Sequence, residues 1–253
     1  MSAILAVFAH PDDETFRPGG TLAMLSQEGV GVRLVTATRG ECGSCGDPPL
    51  CTPEELPGIR ERELVCACAA LGIPPPRLLD HSDGKLREVL PEKLITEILT
   101  AIHESNPEVM LSFGLDGLSG HPDHITIGAC TAEAFRRSEK VAALYTLAVP
   151  ASLAQKLEMR QIHPVPDQAI TITVDVSSTW QKKLAAMRCH ATQWSSSPMI
   201  KASEERQRLF FRQEFFIRAA SRLAYDDFLP EILRSHLLLM PQGLRLDRSE
   251  PIP

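Results

Sequence analysis

Strand-like and helix-like segments alternate along the first part of the chain. Short apolar or β-branched runs predict strands at residues 4–9, 30–37, 77–80 and 109–113. Apolar residues at helical spacing predict helices at residues 21–28, 59–71, 92–104 and 125–137. Such alternation is typical of a parallel sheet with helices packed on both faces. The pattern therefore predicts an α/β fold with a doubly wound, mostly parallel sheet up to about residue 138.

The pattern is less regular in the remainder of the chain. It predicts strands at residues 142–149 and 169–176, a helix at 180–190, and a mixed helical stretch with several aromatic residues at 204–225. Residues 241–253 are predicted to form an extended or disordered tail. No composition change marks a linker. We therefore expect a single domain over residues 1–253, with a smaller C-terminal α+β portion.

Composition excludes several classes of protein. The 253 residues, 43% apolar and 23% charged, suit one large α/β domain. A net charge of −6 gives no electrostatic case for binding nucleic acid or an anionic membrane. No apolar run approaches the roughly 20 residues that span a bilayer. The N-terminus enters a predicted strand without a basic region, so we expect no signal peptide and a cytoplasmic protein.

Seven cysteines allow for disulfides, but their number is odd. Four of them lie in helical-looking apolar contexts and are expected to be buried free thiols in a reducing compartment: Cys66, Cys68, Cys130 and Cys189.

Three other cysteines share a loop rich in glycine and proline at residues 42–58: Cys42, Cys45 and Cys51. The length of the loop is typical of a binding-site rim. One hypothesis for these cysteines is that they bind a second metal or form a redox pair. Three cysteines without a fourth ligand make a poor structural zinc site. We favour a rim with incidental or redox-sensitive thiols.

A polar motif follows the first predicted strand, His-Pro-Asp-Asp-Glu at residues 10–14. Pro11 cannot donate to a sheet, so the strand ends near His10. Ligands of open α/β sheets bind at the carboxyl ends of the strands. Three adjacent acids repel one another unless a cation offsets their charge, and a metal ion is the simplest candidate.

A second polar motif follows the strand at 109–113, Gly-His-Pro-Asp-His at residues 120–124. His10, Asp13 and His124 would together supply the three His/Asp ligands that catalytic zinc sites use. Asp12 would remain beside the metal without a ligand role. Either motif alone is also explained as an ordinary polar turn, but two such motifs after two predicted strands favour a metal site.

These motifs resemble those of the LmbE/PIG-L family of zinc-dependent N-acetylglucosamine deacetylases. Supporting matches are Gly19 and Gly20, the stretch at 38–41, Arg60 with Glu63, and the late set Lys183, Ala186, His190 and Gln193. The resemblance covers roughly residues 3–195. It implies a Rossmann-like fold, one zinc ion per chain, and hydrolysis of an acetamide on a small-molecule amino sugar. Family members often form oligomers, so a homo-oligomer is consistent with the resemblance, but no feature fixes a number.

The resemblance also implies roles for individual residues. His10, Asp13 and His124 correspond to the zinc ligands, and Asp12 to the general base. His121 corresponds to the histidine that stabilises the oxyanion, with Asp123 supporting it. Three residues are assigned to substrate binding: Arg60, Asp83 and His190. For two of them a structural role is the alternative to substrate binding. Arg60 would then be a surface residue at the start of a helix, and His190 would be a histidine packed in the core.

The chemistry of amide hydrolysis agrees with these roles. Zinc would activate a water molecule and polarise the carbonyl. Asp12 would take the proton of that water and give it to the leaving amine. A protonated His121, oriented by Asp123, would stabilise the oxyanion.

Other functions remain open from the sequence. The same residues would serve an amidase that removes a larger acyl group from a glucosaminyl thiol conjugate. Magnesium-dependent phosphoryl transfer is disfavoured because Mg²⁺ prefers oxygen ligands and the site offers two histidines. A non-catalytic, zinc-retaining sugar-binding protein is disfavoured because Asp12 and His121 are both present.

Overall fold

The computed structural model describes residues 3–197, 199 and 202–222. Its strands are β1 Ala3–Phe8, β2 Gly31–Thr38, β3 Arg77–His81, β4 Val109–Ser112, β5 Ala143–Ala148, β6 Ile172–Asp175 and β7 Gln213–Ser221. They form one sheet in the order β3-β2-β1-β4-β5-β7-β6. β1 to β5 pair with one another in parallel, whereas β7 is antiparallel to both β5 and β6.

Helices connect most of the strands. The α-helices of the described part are α1 Asp13–Phe16, α2 Gly19–Gln27, α3 Leu56–Leu71, α4 Pro91–Ser105, α5 Gly117–Gly120, α6 Pro122–Arg137, α7 Ala151–Lys156, α8 Trp180–Cys189, α9 Ala191–Ser196 and α10 Glu204–Phe211. α4 and α6 pack on each other and on β1, while α2 packs on β2 and, with α3, on α8. The predicted doubly wound, Rossmann-like α/β fold is confirmed.

β1 lies at the centre of the parallel part of the sheet. It pairs with β2 on one side and β4 on the other. Five of its six residues are buried, because an apolar run can be covered on both faces only inside such a sheet. The ends of β1 and β4 are therefore neighbours, and the polar motifs that follow these two strands emerge at the same edge.

The expectation of a helical stretch over residues 204–225 is wrong for its second half. A helix covers only Glu204–Phe211, and Gln213–Ser221 forms β7 between β5 and β6. β7 buries the charged Glu214 as well as Phe216, which disrupts the apolar alternation that identifies a strand. The C-terminal portion thus extends the main sheet. Residue 225 and the expected tail at 241–253 lie outside the described residues.

A buried ion pair ties β7 to the beginning of α2. Lys183 donates to Glu214 Oε1 at 2.6 Å. The same carboxylate accepts the N–H groups of Gly20 at 2.8 Å and Thr21 at 2.7 Å. A negative charge is favourable at a helix N-terminus. Glu214 therefore fixes the helix that follows the first polar motif.

Two cysteines that were expected to be free form a disulfide. Cys66 of α3 and Cys189 of α8 are bonded, with Cα atoms 5.7 Å apart. Cys66 is exposed and Cys189 half-buried, so the expectation of buried free thiols is wrong for both. The bond depends on the packing of α3 on α8, which local periodicity does not reveal. Cys68 and Cys130 are buried and free, as expected.

Among the described helices, none combines the length and the apolar character needed to cross a membrane.

Candidate active site

The site begins in the tight turn after β1. Asp12 has a φ of 116°, in the left-handed region, and its N–H donates to Glu14 Oε2 at 2.9 Å. Asp13 Oδ2 accepts the N–H groups of His10 at 2.8 Å and Ala9 at 3.2 Å. The backbone of the turn is thus held by the carboxylates of the motif itself.

The three predicted metal ligands lie together. His10 Nδ1 is 3.1 Å from His124 Nε2 and 3.7 Å from Asp13 Oδ2, and His124 Nε2 is 3.3 Å from Asp13 Oδ1. Tetrahedral zinc with bonds near 2.0–2.2 Å places its ligand atoms about 3.3 Å apart. The donor types fit a zinc ion, and the two distances to Asp13 involve different oxygens of its carboxylate. The groups whose donor atoms all lie within 4.8 Å of one another are His10 with His121 and His124, and His10 with Asp83 and Asp123.

Two carboxylates orient His10 from the opposite side of its ring. His10 Nε2 is 2.9 Å from Asp83 Oδ1 and 3.3 Å from Asp123 Oδ2. Burial alone would lower the pKa of His10, but these hydrogen bonds and the charge of Asp13 raise it to about 10. Nδ1 is left facing Asp13 and His124, which is the usual arrangement of a carboxylate-oriented metal ligand.

Asp83 and Asp123 therefore occupy positions that differ from their predicted ones. Asp83 was expected to contact substrate, yet its carboxylate is buried behind His10 and also accepts the N–H of Cys42 at 2.9 Å. The fully buried Asp123 carboxylate accepts the N–H groups of Gly84 at 2.7 Å and Leu86 at 3.0 Å. Both acids join the loop after β3 to His10.

His121 lies beside the ligand cluster. One of its ring nitrogens is within 4.8 Å of donor atoms of both His10 and His124. Burial and the charges of those two histidines lower the pKa of His121, which disfavours the expected protonated form. Its Nδ1 accepts the N–H of Asp123 at 3.2 Å, so the Asp123 backbone, rather than its carboxylate, orients this ring. A neutral His121 bonded in this way carries its proton on Nε2.

Asp12 lies next to a buried arginine. Arg60 Nη2 is 3.1 Å from Asp12 Oδ2 and also donates to the carbonyl of Pro11. Its Nη1 donates to the Gly40 carbonyl at 2.7 Å. Burial raises the pKa of Asp12 to about 6, while Arg60 opposes this shift. Arg60 is only 3% exposed, so it holds the Asp12 turn and has little surface left for substrate.

His190 is fully buried behind the same turn. Its Nε2 is 2.7 Å from Glu14 Oε1, and the other oxygen of Glu14 accepts the Asp12 N–H at 2.9 Å. The predicted substrate contact by His190 is therefore not supported, and the alternative of a packed histidine is. From the sequence, Glu14 is one of the three adjacent acids of the first motif. Its histidine partner is 176 residues away, so no local pattern reveals the contact.

The cluster borders a cavity of about 400 Å³. Its lining includes Asp12, Asp13 and His124, several apolar side chains, and Arg17, to which the sequence reasoning gave no role. His121 lines an adjoining cavity of about 390 Å³, and the two cavities share Ser119. A larger cavity of about 510 Å³, between α6 and β5 with β7, contains none of the predicted site residues.

The cysteine-containing loop lies at the rim of the site. Gln193, which also lines the cavity, exchanges hydrogen bonds with the backbone of Ser44, at 3.2 Å from N–H to Oε1 and 2.8 Å from Nε2 to carbonyl. Cys45 and Cys51 are free, and burial and then the proximity of Cys45 raise the pKa of the Cys51 thiol. Among the described residues, the clusters suited to a metal ion contain no cysteine.

Comparisons with known proteins agree with this geometry. The model of the PIG-L family, described as GlcNAc-PI de-N-acetylase, matches residues 5–135. A 1D-myo-inositol 2-acetamido-2-deoxy-alpha-D-glucopyranoside deacetylase of Actinosynnema mirum is 34% identical over 226 residues, covering 75% of this chain and 80% of that protein. A probable N-acetyl-alpha-D-glucosaminyl L-malate deacetylase 2 of Bacillus anthracis is 33% identical over 194 residues, covering 76% and 82%.

A solved structure shares the fold. The conserved protein TT1542 from Thermus thermophilus superimposes with a TM-score of 0.66 at 24% identity, covering 90% of this chain and 99% of that one.

Fold and site together define an α/β enzyme with a His/Asp cluster suited to a divalent metal. The chain belongs to the PIG-L family, and it is an N-deacetylase.

Proposed function

We propose that this protein is a zinc-dependent hydrolase that removes the acetyl group from an N-acetylglucosamine conjugate. The observation that carries the proposal is the convergence of His10, Asp13 and His124 beside Asp12, at the wall of a cavity, in a chain of the PIG-L family. The two relatives above act on conjugates of this kind, one with an inositol and one with a malate aglycone.

His10, Asp13 and His124 would hold the metal. Zinc bound there supplies polarisation of the acetamide carbonyl and a water molecule whose pKa is lowered toward about 7. Asp83 and Asp123 keep the His10 ring in the ligand orientation through Nε2.

Asp12 would act as the general base and then as the acid. Its side chain lines the cavity and adjoins the ligand Asp13. Its carboxylate would take the proton of the attacking water and return it to the leaving amine. Arg60 and Glu14 hold this residue through its carboxylate and its N–H.

His121 would stabilise the oxyanion as a neutral donor. Since its Nδ1 accepts the Asp123 N–H, Nε2–H is the group available for donation. A positioned donor of this kind typically lowers the activation barrier by about 2.7–4 kcal/mol. This assignment replaces the protonated His121 expected from the sequence.

The test is acetate release from N-acetylglucosaminyl malate and N-acetylglucosaminyl inositol by protein of measured metal content. We expect hydrolysis by zinc-loaded protein, its loss after chelation, and its return on adding zinc. Full activity of metal-free protein would contradict the zinc requirement. Release of a longer acyl group but not of acetate would favour the amidase, and binding without hydrolysis would favour a sugar-binding protein.

A further inference from the structure

Within the part of the chain that the structure describes, Arg17 is a cation without an anionic partner in the active-site cavity. It follows α1 directly and lines the cavity together with Asp12, Asp13 and His124. Its guanidinium lies over the ring of Phe210, 4.4 Å from the centroid. Among the described residues, no carboxylate lies within ion-pair distance of this guanidinium.

The nearby acids are already engaged. Asp12 is paired with Arg60, and Asp13 with the two histidine ligands. Glu214 influences Arg17 electrostatically but bonds to Lys183 and to the start of α2. Arg17 is thus left to interact with whatever enters the cavity.

The walls of the cavity strengthen any such interaction. They are largely apolar and include Phe16, Phe113, Leu118, Leu147, Ile162 and Phe211. Charges are screened less in such surroundings than in water. Burial also lowers the pKa of Arg17 to about 10, which leaves it protonated at neutral pH. Buried cations are normally paired, and a guanidinium matches the geometry of a carboxylate.

We propose that Arg17 binds an acidic group on the substrate, so that this enzyme prefers amino-sugar conjugates whose aglycone carries a carboxylate. The inference rests on the proposed function and restricts the class of aglycone that the substrate carries. A charge-assisted hydrogen bond of this kind corresponds to about a tenfold to hundredfold preference over a neutral group.

The test compares two probes of matched shape, the 4-carboxyphenyl and 4-carbamoylphenyl N-acetylglucosaminides. Acetate release is measured for the zinc-loaded protein and for Arg17→Gln and Arg17→Lys. We expect a kcat/KM at least about tenfold higher for the acid probe, mainly through KM, with the preference lost in Arg17→Gln and partly kept in Arg17→Lys. Arg136→Gln, an exposed arginine with 72% side-chain exposure, should keep the full preference.

Equal kcat/KM for the two probes with the unmodified protein would overturn the inference and leave the deacetylase intact. An unchanged preference in Arg17→Gln would overturn it as well. If Arg17→Gln weakened product inhibition by acetate without altering the probe preference, Arg17 would bind the released acetate and not the aglycone, and the inference would be overturned. Hydrolysis of neither probe, and of neither the malate nor the inositol conjugate, would overturn the proposed function itself.

Discussion

At the scale of single residues, the site has an inner group beside Asp12 and an outer group of buried side chains behind it: His10, Asp13 and His124 inside, and Asp83, Asp123 and His190 outside. The sequence predicts the convergence of the inner group, because its members follow apolar strands and the carboxyl ends of parallel strands meet at one edge of the sheet: His10, Asp13 and His124. The contacts of Asp83, Asp123 and His190 depend on which distant loops and helices meet. No local pattern specifies such contacts.

The orienting role of Asp83 can be tested by Asp83→Asn. The change removes the charge that faces His10 Nε2 at 2.9 Å. Since carboxylates that orient a ligand typically change metal affinity by about 10- to 100-fold, we expect zinc affinity to fall by that order. Zinc competition with a chromogenic chelator measures it. Asp80→Asn is the matched control, because Asp80 is on the same segment and pairs with Arg39 at the surface.

Asp12→Asn tests the general base. The amide cannot accept a proton, so we expect kcat to fall by about 10²- to 10⁴-fold. Zinc content should stay at one ion per chain, because Asp12 is not among the proposed ligands. A variant that kept both zinc and full hydrolysis would remove Asp12 as the base.

His190→Asn separates positioning from substrate contact. The change breaks the bond to Glu14 Oε1 at 2.7 Å, which supports the Asp12 turn from behind. We expect kcat to decrease while KM stays nearly constant, because the side chain is fully buried. Steady-state kinetics on the same acetylated substrate give both constants. A rise in KM with an unchanged kcat would instead support the hypothesis that His190 contacts the substrate.

At the scale of secondary structure, the prediction succeeds for parallel strands and fails at β7. Runs buried on both faces, such as β1, are apolar throughout and are easy to recognise. β7 carries Glu214 at a buried position, which the ion pair with Lys183 and the N–H groups at the start of α2 make tolerable. The strand was therefore mistaken for a helix because its partner lies on another element.

Glu214→Gln tests this connection between β7 and α2. It leaves Lys183 buried without a counter-charge, and breaking a buried ion pair typically costs about 3–5 kcal/mol. We expect the free energy of unfolding to fall by that order, as measured by urea denaturation. Arg212→Gln should cause little change, because its pair with Asp175 is exposed. Equal effects of the two changes would contradict the argument.

At the scale of the whole molecule, one continuous sheet connects residue 3 with residue 221. We propose that the described chain is one cooperative domain, as expected from its uniform composition. The disulfide between Cys66 and Cys189 is the whole-molecule feature that the sequence did not predict, since it closes a loop across 123 positions.

Reduction of this disulfide should destabilise the protein. The chain-entropy model assigns roughly 4–5 kcal/mol to a loop of about this length. We expect one unfolding transition, moved to lower temperature by reductant or by Cys66→Ser. Cys42→Ser should leave the transition unchanged, because Cys42 is exposed and free. Two separated transitions would contradict the single domain, and a transition insensitive to reductant would argue against the bond.

The order of the strands has a consequence for synthesis of the chain. β6 borders β7 in the sheet, and β7 is made about 40 residues later. While the ribosome is still translating that interval, β5 presents an open edge and β6 has no neighbour among the strands already made. The nascent chain therefore passes through a stage with an unpaired edge strand, which is a site for unwanted pairing with other chains.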